Sequence, residues 1–305
     1  MYRFKRIIVG ITLGEQDEAK IRYAAMISRL ALSEKVIFVH VIGPPENDTG
    51  RPSYKGLKDR TRESIRERMQ ELCACYFDGA PSTECEHYIT DDAPLIHIEL
   101  LRRFKEMDID LLILGKIRGE LTKRGSVPVK VARKAPCSVL FVPEGMKPEF
   151  NNILVPIDFS DISLDAFDTA LSFAAASGVN DIRTIHIYNV PIGYHKSGKS
   201  YEQFADIMKG HAENHFKSFV DKVDLRGVHV TPVFILHRNP CRAIDEYVRE
   251  HYIDLLIIGA RGRRTGAAFV LGSVTEKLIG STSMPLFAVK RKAEGLSLVE
   301  ALLRL

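Results

Sequence analysis

The sequence lacks the features of several protein classes. No run of apolar residues approaches the roughly 20 that a membrane-spanning helix needs, so we expect no membrane contact. Five cysteines among 305 residues, an odd number, do not resemble the framework of a small disulfide-bonded protein. A net charge of +4 permits contact with nucleotides, but nucleic acid is not the partner we expect. The hydrophobic fraction of 45% is that of ordinary globular chains, and the length favours two domains.

The N-terminal segment has basic residues before a short apolar stretch. That stretch is about six residues long and is not followed by the small-residue cleavage site of a signal peptide. We interpret it as the first strand of a sheet, and we expect a cytoplasmic protein.

The sequence contains two copies of one pattern. KRIIVGIT at Lys5–Thr12 returns as NNILVPID at Asn151–Asp158, and DIDLLILG at Asp108–Gly115 returns as YIDLLIIG at Tyr252–Gly259. Matching segments lie about 144 to 148 residues apart, which is too long for a solenoid repeat and indicates a duplicated domain.

The joint between the copies, Pro143–Asn151, holds two prolines, a glycine and charged residues, which suits an exposed linker. We predict a first domain at 1–143, a linker at 144–151, a second domain at 152–291 and a C-terminal tail, a short helix, at 292–305.

Each copy alternates apolar runs with segments of helical periodicity. In the second copy Ile153–Ile157 is wholly apolar, as in a strand buried on both faces, and Ser160 is suited to begin a helix to about Ala176. The alternation predicts an α/β fold of two tandem doubly wound parallel five-stranded sheets with helices on both faces. The other predicted elements of this copy are strands at Arg183–Tyr188, Val228–Leu236, Leu255–Ile258 and Leu286–Lys290, and helices at Tyr201–Val223, Pro240–His251 and Ser273–Gly280.

A glycine-rich basic loop follows the last residues of the strand at Leu255–Ile258. Its spacing is Gly259-x2-Gly262-x9-Gly272-Ser273. Its basic residues are Arg261, Arg263 and Arg264. Glycines let the backbone approach an anion closely, and the amides at the start of a following helix point at it. This construction is typical of phosphate binding; the alternative is a long loop with a helix N-cap at Ser273.

With these residues in view, each copy resembles a universal stress protein (UspA-like) domain, and the chain resembles a tandem universal stress protein over nearly its full length. In the second copy the resemblance rests on Pro156–Ser160, His186-Ile187, Asn239-Pro240 and the glycine spacing, which is the family's ATP-binding signature. It implies an adenine-nucleotide alpha-hydrolase-like fold and an ATP-binding protein of stress response and signalling.

The resemblance also implies a role for each residue of the motif. The Asp158 carboxylate would accept hydrogen bonds from ribose hydroxyls, although an ordinary turn residue is the alternative at this position. The backbone at Ile187 would face adenine, and the Ser273 hydroxyl would lie near a phosphate-bound Mg²⁺. The residues implied to bind the nucleotide are Pro156, Asp158, Ile187, Gly259, Arg261, Gly262, Gly272 and Ser273.

The first copy departs from this pattern. Thr12 stands where the second copy has Asp158, so the ribose carboxylate is missing. The loop from Gly115 to Gly125-Ser126 is three residues shorter, and Gly119 is out of register. We expect the first copy to be a structural or regulatory partner rather than a second ATP site.

The resemblance also implies that the two copies associate, because members of the family usually form dimers by pairing their fifth strands. Ser138–Val142 and Leu286–Lys290 would then form a pseudo-dimer within one chain, and a homodimer is a further expectation. We expect a nucleotide-responsive module that acts on an unidentified protein partner. The Gly-Lys-Ser/Thr ending of a P-loop is absent, so we expect at most weak ATPase activity. A slow nucleotide hydrolase or nucleotidyl transferase, and an interaction module without nucleotide, stay open as alternatives.

Two residue sets invite a metal interpretation. Cys73, Cys75, Cys85 and His87 offer the four ligands of a structural zinc site. However, side chains two apart on a helix diverge, so Cys73 and Cys75 are better explained as ordinary free cysteines. His211 and His215, four apart on a predicted helix, are more consistent with a solvated helix face.

Overall fold

The computed structural model describes residues 4–42, 54–90, 106–116, 127–262 and 271–291 of the chain. The chain divides into two compact units, of which the first holds the residues up to Pro148 and the second holds Glu149–Lys290. Within the described ranges, no helix is both long enough and apolar enough to cross a membrane.

The first unit begins with a strand where the sequence predicts one. Its elements are β1 (Arg6–Ile11), α1 (Gln16–Ala31), β2 (Lys35–Val41), α2 (Tyr54–Tyr76), β3 (Glu84–Thr90), β4 (Leu111–Lys116), α3 (Val127–Lys134) and β5 (Ser138–Pro143). The strands form a parallel sheet in the order β3-β2-β1-β4-β5.

The second unit repeats this plan. Its elements are β6 (Ile153–Pro156), α4 (Asp161–Ser177), β7 (Asp181–Tyr188), a 3₁₀ turn (Tyr194–Ser197), α5 (Tyr201–Val220), β8 (His229–Leu236), α6 (Pro240–Glu250), β9 (Leu255–Gly259), α7 (Ser273–Ser281) and β10 (Leu286–Val289). The strands are parallel in the order β8-β7-β6-β9-β10. Since right-handed crossovers toward β8 and toward β10 lie on opposite faces of the sheet, helices cover both faces. The predicted α/β fold is confirmed.

Local sequence signals account for the helix starts in the second unit. The Ser160 side chain accepts the Ser163 N–H at 3.3 Å and caps α4. Before α5, the Ser200 side chain accepts the Gln203 N–H and the Gln203 side chain accepts the Ser200 N–H, which forms a capping box. The Asn239 side chain caps α6. Such caps satisfy amides that a helix leaves without a partner.

Two details differ from the sequence prediction. The α5 helix ends at Val220 rather than Val223, because the N–H groups of Lys222 and Val223 reach back only three residues, to the carbonyls of Phe219 and Val220, as in turns. The polar stretch before α5 contains the short 3₁₀ turn, which had no sequence signal. The predicted tail helix at 292–305 lies outside the described residues.

The core of the second unit encloses its central strands. All residues of β6 and β9 are buried. The Phe173 ring meets the rings of Phe150 and Phe287 edge-on, with both centroid distances at 5.4 Å. These aromatic contacts pack the last turns of α4 against the sheet near the amino-terminal ends of β6 and β10.

Candidate functional site

The strand order of the second unit reverses between β6 and β9. The chain leaves β6 toward β7 on one side, whereas β9 leads to β10 on the other. The carboxyl ends of β6 and β9, at Pro156 and Gly259, therefore flank a topological switch point. Open α/β sheets bind their ligands in the crevice at this point.

Asp158 stands in a tight turn just beyond β6. Its Oδ1 accepts hydrogen bonds from the Ser160 backbone N–H at 3.1 Å and from the Ser160 hydroxyl at 2.5 Å. Phe159, between them, has a φ of 63° in the left-handed region, which a non-glycine residue adopts only when its surroundings hold it there. The turn therefore fixes the orientation of the carboxylate.

Gly262 approaches this carboxylate from the other side of the crevice. A Cβ on Gly262 would lie 2.8 Å from Asp158 Oδ2, closer than side-chain contacts allow. Gly262 is not among the described glycines that have a positive φ. Space rather than backbone conformation therefore favours glycine here, and the structure brings the Asp158 carboxylate and the start of the glycine-rich loop together.

Glycine is needed at position 259 for a different structural reason. A Cβ there would meet Ile162 of α4 at 2.9 Å (Cγ2) and at 3.1 Å (backbone oxygen). The Gly259 carbonyl accepts the Thr275 hydroxyl hydrogen at 2.9 Å, which ties β9 to α7. Close packing of β9 with two helices is enough to explain this glycine.

Gly272 precedes the first residue of α7. Its N–H donates to the Ala260 carbonyl at 2.7 Å, and its carbonyl accepts the Glu276 N–H at 2.9 Å. Gly272, not Ser273, is therefore the N-cap residue, so the alternative of a Ser273 N-cap is wrong. A Cβ on Gly272 would meet nothing nearer than the 3.4 Å to Arg261 Cα. The fold thus has no steric need for glycine at this position.

The start of α7 has features that suit an anion. Ser273 is exposed in the first turn, where backbone amides and the helix dipole favour an anion. The half-buried Arg261 adds a positive charge two residues after the end of β9. Arg263 and Arg264, also predicted to contribute charge, lie outside the described residues.

The remaining predicted residues lie on the neighbouring strands. Pro156 pairs with Ile185 of β7 in the parallel register. Ile187, two residues further along β7, is half-buried and pairs with Ile235. Both therefore lie at the same carboxyl edge as Asp158.

The comparison with known proteins agrees with this architecture. The model of the universal stress protein family matches residues 3–143 and again residues 149–290. The chain belongs to the universal stress protein family. Two such domains in tandem explain the duplicated sequence and the two units of similar topology.

Individual relatives of this universal stress protein are distant. Over 144 residues the chain is 26% identical to Universal stress protein MJ0531 of Methanocaldococcus jannaschii, a match that covers 47% of this chain and 83% of the relative. A solved universal stress protein from Archaeoglobus fulgidus has 17% identity and a TM-score of 0.65, covering 94% of this chain and 96% of that one. A functionally unknown protein from Pseudomonas aeruginosa has 13% identity and a TM-score of 0.64, and the match covers 99% of this chain and 98% of that one. These structures show the fold alone.

The first unit of this universal stress protein has a buried ion pair beside the end of its first strand. The Asp17 carboxylate accepts both the backbone N–H and the hydroxyl hydrogen of Thr12, each at 3.1 Å. Lys20 Nζ lies 2.6 Å from Asp17 Oδ1, and both side chains are almost fully buried. A Cβ on Gly115 would overlap the side-chain amide of Gln16.

Burial governs the electrostatics of the Asp17–Lys20 pair. Desolvation lowers the pKa of Lys20, and the Asp17 carboxylate acts in the opposite direction. At the positions of Asp17 and Lys20 the second unit has Ser163 and Ala166, which carry no charge. The sequence does not indicate this buried ion pair, because an aspartate and a lysine three apart on a helix are typical of a solvated face.

The cysteines and histidines considered as metal ligands in the sequence form no metal-binding group in the described residues. Among the residues that the structure describes, no group of three or more histidine, cysteine or acidic side chains is arranged to hold a metal ion. Cys73 is buried on α2, whereas Cys75 is exposed. Burial raises the pKa of the Cys73 thiol to about 12, which opposes the thiolate form that binds metals.

Proposed function

We propose that this universal stress protein binds ATP in the crevice of its second unit and acts as a nucleotide-responsive module. The observation that carries the proposal is the approach of Gly262 to the Asp158 carboxylate. A fixed carboxylate beside a glycine backbone, at the switch point of the sheet, suits a ribose and the phosphates that follow it. Nucleotide binding is typical of the family, which supports the assignment.

Each residue has a chemical role in the proposal. Asp158 accepts hydrogen bonds from the ribose hydroxyls, since its second oxygen faces Gly262 and its first is held by Ser160. The backbone of Ile187, at the same sheet edge, faces adenine beside the strand end at Pro156. Gly259 and Gly262 let the loop backbone come near the phosphates.

The phosphates have a distinct set of proposed contacts. The backbone amides in the first turn of α7 bind the negatively charged phosphates, and the positive charge of Arg261 adds to the attraction. Gly272 allows close approach there, which explains a glycine that the fold does not need. The Ser273 hydroxyl is available to a phosphate-bound Mg²⁺.

The first unit is proposed to bind no nucleotide. Thr12 lacks a carboxylate, and its backbone N–H and hydroxyl group already donate to the Asp17 carboxylate. ATP turnover is expected to be slow or absent, because the motif has no P-loop lysine. A cytoplasmic location, pairing of the fifth strands and a protein partner that responds to the nucleotide state stay predictions.

A matched pair of substitutions tests the proposal. Isothermal titration of the full chain with ATP and Mg²⁺ should give about one site per chain. Asp158→Ala removes a charged acceptor and should weaken ATP binding by about 1.5–3 kcal/mol, roughly 10- to 150-fold. Thr12→Ala, at the equivalent position of the first unit, should leave the affinity unchanged. Wild-type affinity for Asp158→Ala, or an equal loss from Thr12→Ala, would contradict the proposal.

A further inference from the structure

A histidine side chain on β7 holds the turn that carries Asp158. His186 Nδ1 lies 2.9 Å from the carbonyl oxygen of Ile157, the residue just before Asp158. A carbonyl oxygen can only accept, so Nδ1 carries the hydrogen and donates it. The Ile157 N–H in turn donates to the Ile185 carbonyl at 2.9 Å. Both backbone groups of Ile157 are thus bonded to β7.

The same imidazole ring also supports the strained residue of the turn. The Phe159 ring lies against His186 at a centroid distance of 4.4 Å, tilted by 35°. Phe159 further meets the rings of His215 and Phe219 of α5 at 5.7 and 5.6 Å. His186 therefore contacts Ile157 and Phe159, the residues on both sides of Asp158. These contacts help to set the direction in which the Asp158 carboxylate points.

The first unit contains the same arrangement without the carboxylate. His40 Nδ1 lies 2.9 Å from the Ile11 carbonyl oxygen. The residue equivalent to Phe159 is Leu13, with a φ of 62°. Both turns therefore have the histidine hydrogen bond and a residue in the left-handed region. Only the turn after β6 carries a carboxylate, because the turn after β1 has Thr12 in place of Asp158.

We propose that His186 is a positioning residue of the second unit's nucleotide site, and that it acts on ATP binding through Asp158 rather than by touching the nucleotide. This inference rests on the function proposed above. It assigns to His186 a contribution to ligand affinity that His40, with the same hydrogen bond, does not make.

Three substitutions separate positioning from general stability. His186→Phe keeps an aromatic ring against Phe159 but removes the donor, and it should weaken ATP binding about tenfold. His186→Asn places a side-chain N–H near the position of Nδ1 and should stay within about threefold of wild type. His40→Phe should lower the urea unfolding midpoint about as much as His186→Phe and leave ATP affinity unchanged.

A double-substitution cycle in the full chain tests the route through Asp158. In the Asp158→Ala background, His186→Phe should have no further effect on the dissociation constant for ATP, because the group that it positions is gone. A further tenfold loss in that background would overturn the inference, as would wild-type affinity for His186→Phe or an equal loss from His40→Phe.

The controls keep the two claims apart. If Asp158→Ala alone leaves ATP binding intact, the proposed site fails; if Asp158→Ala weakens binding and His186→Phe does not, only the inference fails. Should His186→Phe not fold, His186→Leu replaces it, since it also lacks the side-chain donor for the Ile157 carbonyl. Wild-type ATP affinity for His186→Leu would likewise overturn the inference.

Discussion

Replacing Gly262 by alanine is a small change with a calculable consequence. The new Cβ would lie 2.8 Å from Asp158 Oδ2, so the carboxylate or the loop must move. The carboxylate cannot move freely, because Ser160 holds Oδ1 by two hydrogen bonds. If the shift removes the carboxylate from the ribose, about 1.5–3 kcal/mol of binding free energy is lost, which is roughly 10- to 150-fold in affinity.

Titration calorimetry of the full chain with ATP measures this loss, and two other glycines serve as controls. A Cβ on Gly210, within α5, would have nothing within 4 Å, so Gly210→Ala should raise stability by about 0.5–1 kcal/mol and leave ATP binding unchanged. Gly272→Ala should change unfolding free energy by no more than about 1 kcal/mol but should weaken ATP binding if phosphate lies against this residue. A Gly262→Ala protein that binds ATP as tightly as wild type would refute the reasoning.

Two further predictions concern the first unit. Lys20→Met leaves the Asp17 carboxylate buried without its cation and should lower the free energy of unfolding by about 3–5 kcal/mol, as urea unfolding measures. The double variant Asp17→Asn with Lys20→Met should lose less unfolding free energy than Lys20→Met alone. An equal or larger loss would show that the two residues are not coupled. Because the folded-state pKa of Cys73 is raised to about 12, its contribution to stability is full below the unfolded value near 9 and is lost as pH rises toward 12. In the native protein at pH 8, iodoacetamide should therefore modify the exposed Cys75 before Cys73, as peptide mass spectrometry would show, and the reverse order would contradict the assignment.

Local signals in the sequence predicted most of the second unit's fold. Ser160 and the Asn239-Pro240 pair begin helices for reasons contained in a few neighbouring residues. The wholly apolar runs that became β6 and β9 reflect burial on both faces, which the alternation of strands and helices already implies. The pairing of Asp158 with Gly262 was anticipated only through the family's glycine spacing, because the two residues are far apart in the chain.

Contacts between distant residues explain what the sequence did not show. His186 and Ile157 are 29 residues apart, and nothing in either segment indicates their hydrogen bond. The need for glycine at Gly259 comes from Ile162 on a different element. The burial of Lys20 depends on where α1 packs, since its helical spacing from Asp17 alone predicts a surface pair.

The central claim is that the second unit, and not the first, holds an adenine nucleotide. Photolabelling of the full chain with an azido-adenine analogue of ATP, followed by peptide mapping, tests this claim most directly. We predict one labelled site per chain, on peptides of the second unit near Ile187, and loss of the label when unmodified ATP is added in excess. Labelling of the first unit near Thr12, or labelling that excess ATP does not displace, would contradict the account.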